Sequence, residues 1–348
     1  ALNALEFAPD HGWRQTRPFT CCGIRQEPEV WNDKGRAHCR ECGVEAPYDG
    51  HAGFHISKIY SKRHRLPDLV REFLDAQGDP EKLKKFTNTA LAELWRPIGR
   101  ETLDGAGLIS RAELYGPSDV PNQVQVITAG VDTQGDRLEV QIIGWGADEE
   151  SWPLQYEVIH QDPAQPAAWT ELDSILTSIF TTRDGRLLRI AAATVDAGGH
   201  HGAQVFAFCR KRRKRRIFAI FGRAGARPIW PGNARKTKDG EHFWPIGVDT
   251  AKDTIYARLR IVAPDPDEDG NQPGKPGLIH FPAGDGFGPD YFDQLTAEVR
   301  VLRVRMGRTF AVWEKQKGRP RNEALDTFVG ALAARKSLPR KIDAALEY

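Results

Sequence analysis

Cysteine is scarce in this chain. Five cysteines in 348 residues make no disulfide framework, and a reducing cytosol is the default compartment for such a composition. Long apolar runs are missing too. No stretch reaches the length that spans a bilayer, so no membrane partner is expected. The first residues, ALNALEFAPDHGW, lack the basic-then-apolar pattern of a signal peptide. They also lack an initiator Met, which points to an excised fragment. Neither sign of charge is in excess: 49 Lys and Arg against 47 Asp and Glu leave +2. Net charge therefore does not announce a nucleic-acid partner, and local clustering has to carry that argument. No Gly-rich loop ends in Gly-Lys-Ser/Thr, so these residues carry no P-loop for ATP. No internal repeat is present. What remains is ordinary globular composition, 40% hydrophobic and 28% charged, in a length that suits two domains or one large one with attachments.

Three parts can be read along the chain. Residues 1–57 are loop-like and hold Cys21, Cys22, Cys39 and Cys42. Cys39 and Cys42 have the spacing of half a zinc ribbon, at which two thiolates grip one ion from a tight turn. The other half is the adjacent pair Cys21-Cys22, whose side chains do not easily reach one metal. His38 or His51 would complete the set; the alternative is a decayed knuckle with free thiols. Residues 58–122 read as a helical linker. Leu69, Val70, Phe73 and Leu74 recur at helical spacing, Asp79-Pro80-Glu81 is a helix start, and 97–122 is a connector.

From residue 123 the pattern changes. VQVITAGVD reads as a strand, TQGD as a tight turn, RLEVQIIGWG as the hairpin partner and WPLQYEVIH as a third strand. From Pro166, Leu172, Ile175, Leu176 and Ile179 share a helical face. LRIAAATVD is an apolar fourth strand, HGAQVFAFCRKR a helix and RRIFAIFG a fifth strand. This order predicts an α/β domain over 123–348, a ribonuclease H-like mixed sheet flanked by helices, behind the N-terminal Cys-rich and helical segment. Further on, 232–242 and 263–276 read as surface loops. DTAKDTIYARLRI reads as a helix capped by Asp249, GLIHFP as a short strand, DYFDQLTAEVRVLRV as a helix and TFAVWEK as a late strand. Asn322 to Lys336 reads as an amphipathic helix with Leu325, Phe328, Val329 and Leu332 on its apolar face.

In that fold the first and fourth strands are parallel neighbours. Asp132 and Asp196 end those two strands, at the edge where open α/β sheets bind ligands. Two unpaired carboxylates side by side repel, and a divalent cation removes that cost. Magnesium and manganese prefer such oxygen ligands, and a pair of metal ions can serve both the attacking and the leaving oxygen of a phosphodiester. Asp326, in the first turns of the last helix, is the third candidate. Either strand acid alone reads more simply as a turn or capping residue; the pair with a third acid favours a site. Asp136 reads as a turn residue, while Glu139 points either to the site or to solvent. Arg210 to Arg216 is a run of consecutive cations, RKRRKRR. Such runs are mostly solvated faces, but this one is pinned between a helix and a strand, where Arg212, Arg213, Arg215 and Arg216 could follow a phosphate backbone. Lys317, Arg319 and Arg321 add charge before Asp326. His200 and His201, after the second acid, could contact a phosphate but read more simply as polar residues at a helix start.

GVDTQGDRLEVQIIGWG, TVDAGG, GVDTAKDTIYARL, IHFP and RNEALDTFVGALAA, in this order, resemble the nuclease half of the lambda-type phage terminase large subunit. GFHISKIYS and LKKFTNTALAELW are similar to the segment after that family's ATPase motor. The resemblance implies a DNA-packaging endonuclease acting on double-stranded DNA in the cytoplasm of an infected bacterial host. It also implies Asp132, Asp196 and Asp326 in the positions that bind two Mg2+ or Mn2+ ions. Its further implied partners are a small terminase subunit, the portal and an ATPase domain that is not in these residues. The family's first Cys-x-x-Cys knuckle is replaced here by Cys21-Cys22. Two other readings stand beside it. One is an actin-like phosphotransferase, since Val131 to Gly135 is loosely similar to a phosphate-binding first hairpin, though no second phosphate loop is present. The other is a DNA-docking module without catalysis.

Overall fold

The computed structural model describes residues 3–8, 12–15, 19–26, 28–30, 36–45, 52–77, 80–93, 105–263, 274–284, 286–305 and 308–339. The chain divides into two compact units, one of Ala1–Gln77 and Glu81–Pro97, the other of Gly78–Pro80 and Ile98–Tyr348. Among the described residues no helix is long and apolar enough to cross a membrane.

The first unit is less loop-like than its sequence suggests. Gly12–Gln15, Asn3–Ala8 and Ala52–His55 form a three-stranded sheet. Phe19–Cys21 and Ile24–Gln26 form a hairpin. Its two-residue turn, Cys22-Gly23, has φ of 54° and 72°, the left-handed pair that matches the twist of the flanking strands. Strands this short leave no readable alternation. Helices Leu66–Ala76 and Pro80–Thr89 form where the periodicity places them and bury Leu69, Ala76, Phe86 and Ala90 together. Asp79, read as part of the second helix start, lies outside the described residues.

In the second unit β1 (Val126–Thr133), β2 (Leu138–Trp145) and β3 (Ser151–Ile159) form an antiparallel meander. After α1 (Pro166–Leu176), β4 (Leu187–Asp196) lies parallel to β1 on its free side. After α2 (Gly202–Arg212), β5 (Ile217–Arg223) lies parallel to β4, and β6 (His242–Gly247) parallel to β5. The sheet order is β6-β5-β4-β1-β2-β3, with Arg235–Lys236 beyond β6 and Ile179–Thr181 paired to β4. Ile179 therefore lies in a strand, outside the helix whose face it was read to share. Then come α3 (Val248–Leu259), α4 (Pro289–Leu295), the antiparallel strands β7 (Glu298–Arg305) and β8 (Arg308–Lys315), and α5 (Glu323–Lys336). The result is a mixed α/β fold with a central mixed sheet flanked by helices.

Three expectations are corrected here. β6 was not foreseen, because Pro245 within HFWPIG argues against a strand; it sits at the edge-ward side of the sheet, where a missing N–H costs least. EVRVLRVR is a strand and not the end of a helix: Val299 and Val301 alternate, and β-branched residues favour the pleated surface. Asp249 does not cap α3. Gly247 holds that place, and the Asp249 carboxylate in the first turn accepts from Gly225 N at 2.7 Å.

The pleat decides what each side of the sheet meets. Ile127, Ala129 and Val131 of β1 pack with Leu172 of α1 and Val205 and Phe208 of α2. Val126, Ile143 and Trp145 face the other side, where α3, α4 and α5 contribute Ile255, Phe292, Leu325, Phe328 and Leu332. Burying a side chain such as Phe328 stabilises by about 1.5–3 kcal/mol. α5 is more than the amphipathic surface helix its sequence suggested. Ala324, Gly330, Ala331, Ala333 and Ala334 are buried along with the large residues, so the helix is enclosed nearly all round.

A buried histidine ties the segment before β1 to the segment after α3. His280 stacks on Trp152 with ring centroids 4.7 Å apart, while its two ring nitrogens meet Glu113 at 2.6 Å and Glu150 at 2.9 Å. Burial opposes its charge, but the two carboxylates outweigh burial and raise its pKa. The stabilisation is therefore fully present below the ordinary histidine value of about 6.5 and lost as pH rises through the higher folded value. The expected result is a melting temperature that falls between pH 6 and pH 9 by more in the wild type than in His280→Gln. Equal falls in both would show that this pair contributes nothing.

Candidate active site

The period of two places the first two acids. Asp132 is on the same side of β1 as Thr128 and Gly130, and Asp196 on the same side of β4 as Ala192 and Thr194. Both face α5. β1 and β4 pair as Val131↔Val195, so the two carboxylates leave the sheet side by side at its C-terminal edge. α5 is brought onto this face by close backbone approach. A Cβ on Gly130 would lie 2.0 Å from Thr327 O and 2.4 Å from Ala331 N. Thr128 Oγ1 donates to Ala331 O at 2.8 Å, and Thr327 Oγ1 to Gln141 Oε1 at 3.0 Å. One turn back along α5 from these contacts is Asp326.

The three acids act on one another. Asp132 is buried and pushed up to about 8, by burial first, then by the charge of Asp326, with Asp196 and Glu139 adding to it; a hydrogen bond from Gln134 Nε2 at 2.6 Å opposes the shift. Asp196 is pushed up to about 6 by burial, opposed by the Gly198 N–H at 3.0 Å and reinforced by Asp326. Asp326 is raised by burial and by Glu298, against the pull of Lys252. Gly198 and Gly199 let the next loop close over this edge. A Cβ at Gly198 would press on Asp196 at 3.3 Å, and one at Gly199 on Thr133 O at 2.8 Å. His201 caps α2 from this loop, its Nε2 3.0 Å from Gly135 O.

Further groups surround the acids. Glu139 sits opposite Asp132 in register and points inward, wholly buried. Arg137 Nε and Arg321 Nη2 donate to it at 2.6 and 2.7 Å, and the Tyr156 hydroxyl donates to its other oxygen. Asp136 stays at the exposed turn, paired to Arg137 at 2.8 Å. Lys252, Glu298, Asn322 and Gln134 also reach the acids and were not singled out in the sequence. Lys252 and Glu298 carried no local signal. Asn322 lies one helical turn before Asp326 and was legible as its partner.

The basic residues fall in two places. RKRRKRR leads into β5 at the level of Ala193, because Ile217 pairs with Ala193 and Ile220 with Asp196. At ~3.3 Å per residue that is roughly 10 Å back along the strand from Asp196, toward the opposite edge of the sheet. Arg212 binds Asp173 through two nitrogens at 2.7 and 2.8 Å, and Arg215 binds it at 2.7 Å. Arg213 lies over the Trp244 ring, and Arg216 takes the left-handed turn before β5. Arg319 and Arg321, by contrast, precede α5 beside Asp326. Arg319 donates to Thr296 Oγ1 at 2.7 Å, and Arg321 spans Glu139 and Glu323.

In the first unit the mirror-type turn brings Cys21 and Cys22 onto Cys42 and Cys39. Their sulfur atoms all lie within 4.8 Å of one another, and among the described residues this is the one group of three or more His, Cys, Asp or Glu that is so compact. The expectation that the adjacent pair would not reach one site is thus corrected. The turn at Cys22-Gly23 swings both thiols to one side. His38 is not in the group, and His51 lies outside the described residues. The neighbouring thiols, Cys42 first, push Cys21 up to about 12, whereas Cys42 is lowered to about 7, first by the backbone of Val44 and then by Cys22 and Cys21.

With this geometry in hand, the chain can be set beside known proteins. The family described as terminase large subunit gpA, endonuclease domain, matches residues 51–343. The chain belongs to this family. It is 32% identical over 317 residues to the terminase large subunit of Escherichia phage lambda, which covers 89% of this chain and 47% of that protein. It is 30% identical over 316 residues to the terminase large subunit of Enterobacteria phage P21, covering 89% and 48%. The chain spans about half the length of these curated relatives. No solved structure matches it.

Proposed function

We propose that this terminase endonuclease domain cuts double-stranded DNA during phage genome packaging, and that its sheet is of the ribonuclease H-like type. The observation that carries the reading is the convergence of Asp132, Asp196 and Asp326 from two adjacent strands and the helix packed on them. Burial first, and then the charge of the neighbouring carboxylates, raises Asp132 and Asp196, and a divalent cation would relieve both. The donors are all oxygen, which suits two Mg2+ or Mn2+ ions held by these three residues. Bound there, the metal would activate water and stabilise the leaving oxygen of a phosphodiester. Gln134 and Gly198 orient the strand carboxylates, and Asn322 and Lys252 orient Asp326. Arg319 and Arg321 would meet backbone phosphates beside Asp326. Arg212, Arg213, Arg215 and Arg216 would meet only DNA that also runs across the opposite edge. Among the described residues nothing offers a groove-reading element, so sequence preference from this domain should be weak. By resemblance, an ATPase domain, a small terminase subunit and the portal are its partners. The cysteine group of the first unit suits Zn2+, with thiolate ligands only.

Metal analysis and removal test both halves. The purified chain should carry about one zinc, and Cys39→Ser should lose it and loosen the first unit. Cleavage should require added Mg2+ or Mn2+ and stop in excess chelator. Cleavage that persists undiminished in chelator sinks the nuclease mechanism.

A further inference from the structure

Lys252 is a lysine almost without solvent, its side chain 7% exposed. A charge taken out of water needs partners, and its partners belong to the acid site. Its Nζ is 2.7 Å from Glu298 Oε1 and 3.3 Å from Asp326 Oδ1. Asn322 Nδ2 donates to the same Glu298 oxygen at 2.7 Å and to Asp326 Oδ2 at 2.9 Å. Both oxygens of Asp326 are thus held, one by an ammonium and one by an amide. Glu298 is itself fixed. One helical turn after Lys252, Tyr256 donates its hydroxyl hydrogen to Glu298 O at 2.7 Å and accepts from Glu298 N at 3.2 Å. Three elements, α3, β7 and the start of α5, meet at this one point. Burial works against the Lys252 charge, but Asp326 and Glu298 outweigh it and keep the lysine protonated.

We propose that Lys252 is a positioning residue of the nuclease site. Tethered by Glu298, its ammonium holds the Asp326 carboxylate in the metal-free chain and competes with the incoming divalent cation for it. This rests on the reading that the three carboxylates take divalent cations. A lysine shared between two carboxylates neutralises neither fully. The acids therefore tolerate one another before metal binds and still attract metal. The tether sets the balance: without Glu298, Lys252 would give its whole charge to Asp326; without Lys252, the ammonium held against Asp326 Oδ1 would no longer oppose the cation.

The two substitutions pull in opposite directions, which a merely structural ion pair does not do. Mn2+ binding is measured by calorimetry on the full chain, with melting temperature in chelator as the second readout. Lys252→Met should bind Mn2+ about tenfold more tightly and Glu298→Gln about tenfold more weakly, on the scale of one unit charge at this range in a partly buried site. Lys252→Met should also melt earlier without metal, since it strands the buried Glu298 carboxylate beside that of Asp326. The double variant K252M/E298Q, which removes one charge of each sign, should recover that melting temperature and return Mn2+ affinity toward wild type. If Lys252→Met does not fold, Glu298→Gln and the double variant decide the matter by the same criteria. Affinities that move the same way in both single variants, or do not move, overturn the role of Lys252. Asp132→Asn is run alongside: unchanged Mn2+ affinity there overturns the metal reading itself, while lost affinity there leaves that reading standing.

Discussion

Asp132→Asn, Asp196→Asn and Asp326→Asn should each reduce DNA cleavage by on the order of a hundredfold or more while the chain stays folded. Asn keeps the size and one acceptor oxygen, so Gln134, Gly198 and Lys252 keep hydrogen-bonding partners, but it cannot offer a metal the charge it needs. The fold should not suffer. Asp132 is buried and Asp196 and Asp326 are partly exposed, and all three are raised above the ordinary carboxylate range. A raised acid stabilises the folded state below about pH 4 and loses that contribution as pH rises through its folded value, so ionising the trio as pH rises toward 8 and beyond is a burden. Removing one charge should leave the melting temperature in chelator equal or higher, and stabilisation by added Mn2+ should shrink. Asp249→Asn is the control. Its task is to accept the Gly225 N–H, which an amide oxygen also does, so cleavage should stay near wild type. Full activity in any of the three acid variants, measured on linear duplex DNA with Mn2+, would remove that residue from the site.

Gly130→Ala should show the complementary pattern, with stability and cleavage lost together. A Cβ there would meet Thr327 O at 2.0 Å, Ala331 N at 2.4 Å and Gly330 C at 2.9 Å. All are backbone atoms of α5, and none can turn aside as a side-chain tip would. The helix must lift from β1, which strains the Thr128 to Ala331 hydrogen bond and the packing of Phe328. Overpacking of this kind costs on the order of 3 kcal/mol or more, roughly 6–12 °C of melting temperature for a domain of this size. Asp326 rides on the same helix, so cleavage should fall as well. A Gly130→Ala chain that melts like the wild type would mean that α5 does not approach β1 as closely as described.

The sequence determined the elements that carry their own period. β1 and β4 are legible because VITAGVDT and LLRIAAATVD are rich in β-branched and small apolar residues bounded by turns. Their parallel adjacency was an expectation from the order of the elements, and Val131 indeed pairs with Val195. That adjacency alone put Asp132 and Asp196 at one edge. The resemblance in the order of five short motifs then pointed to a terminase endonuclease domain, and the family match agrees. Tertiary structure decided the rest, and for a physical reason in each case. No local pattern shows that a helix will be enclosed on nearly every side, because Gly130 and Gly330 acquire meaning only when their backbones meet. Glu139 could face either way until pairing with Asp132 turned it inward to Arg137 and Arg321. Cys21 and Cys22 looked too close together to share a site until a left-handed turn swung both thiols toward Cys42. The basic run read either as a solvated face or as a phosphate contact, and nothing local showed that Asp173, on a helix some 40 residues earlier, would pair with Arg212 and Arg215. Lys252 gave no sign at all: a lysine in a helix is ordinarily solvated, and only the packing of α3 against β7 and α5 makes it a buried charge. Period and propensity act between neighbours in the chain, whereas burial and charge pairing act between neighbours in space, and this site is built mainly from the second kind.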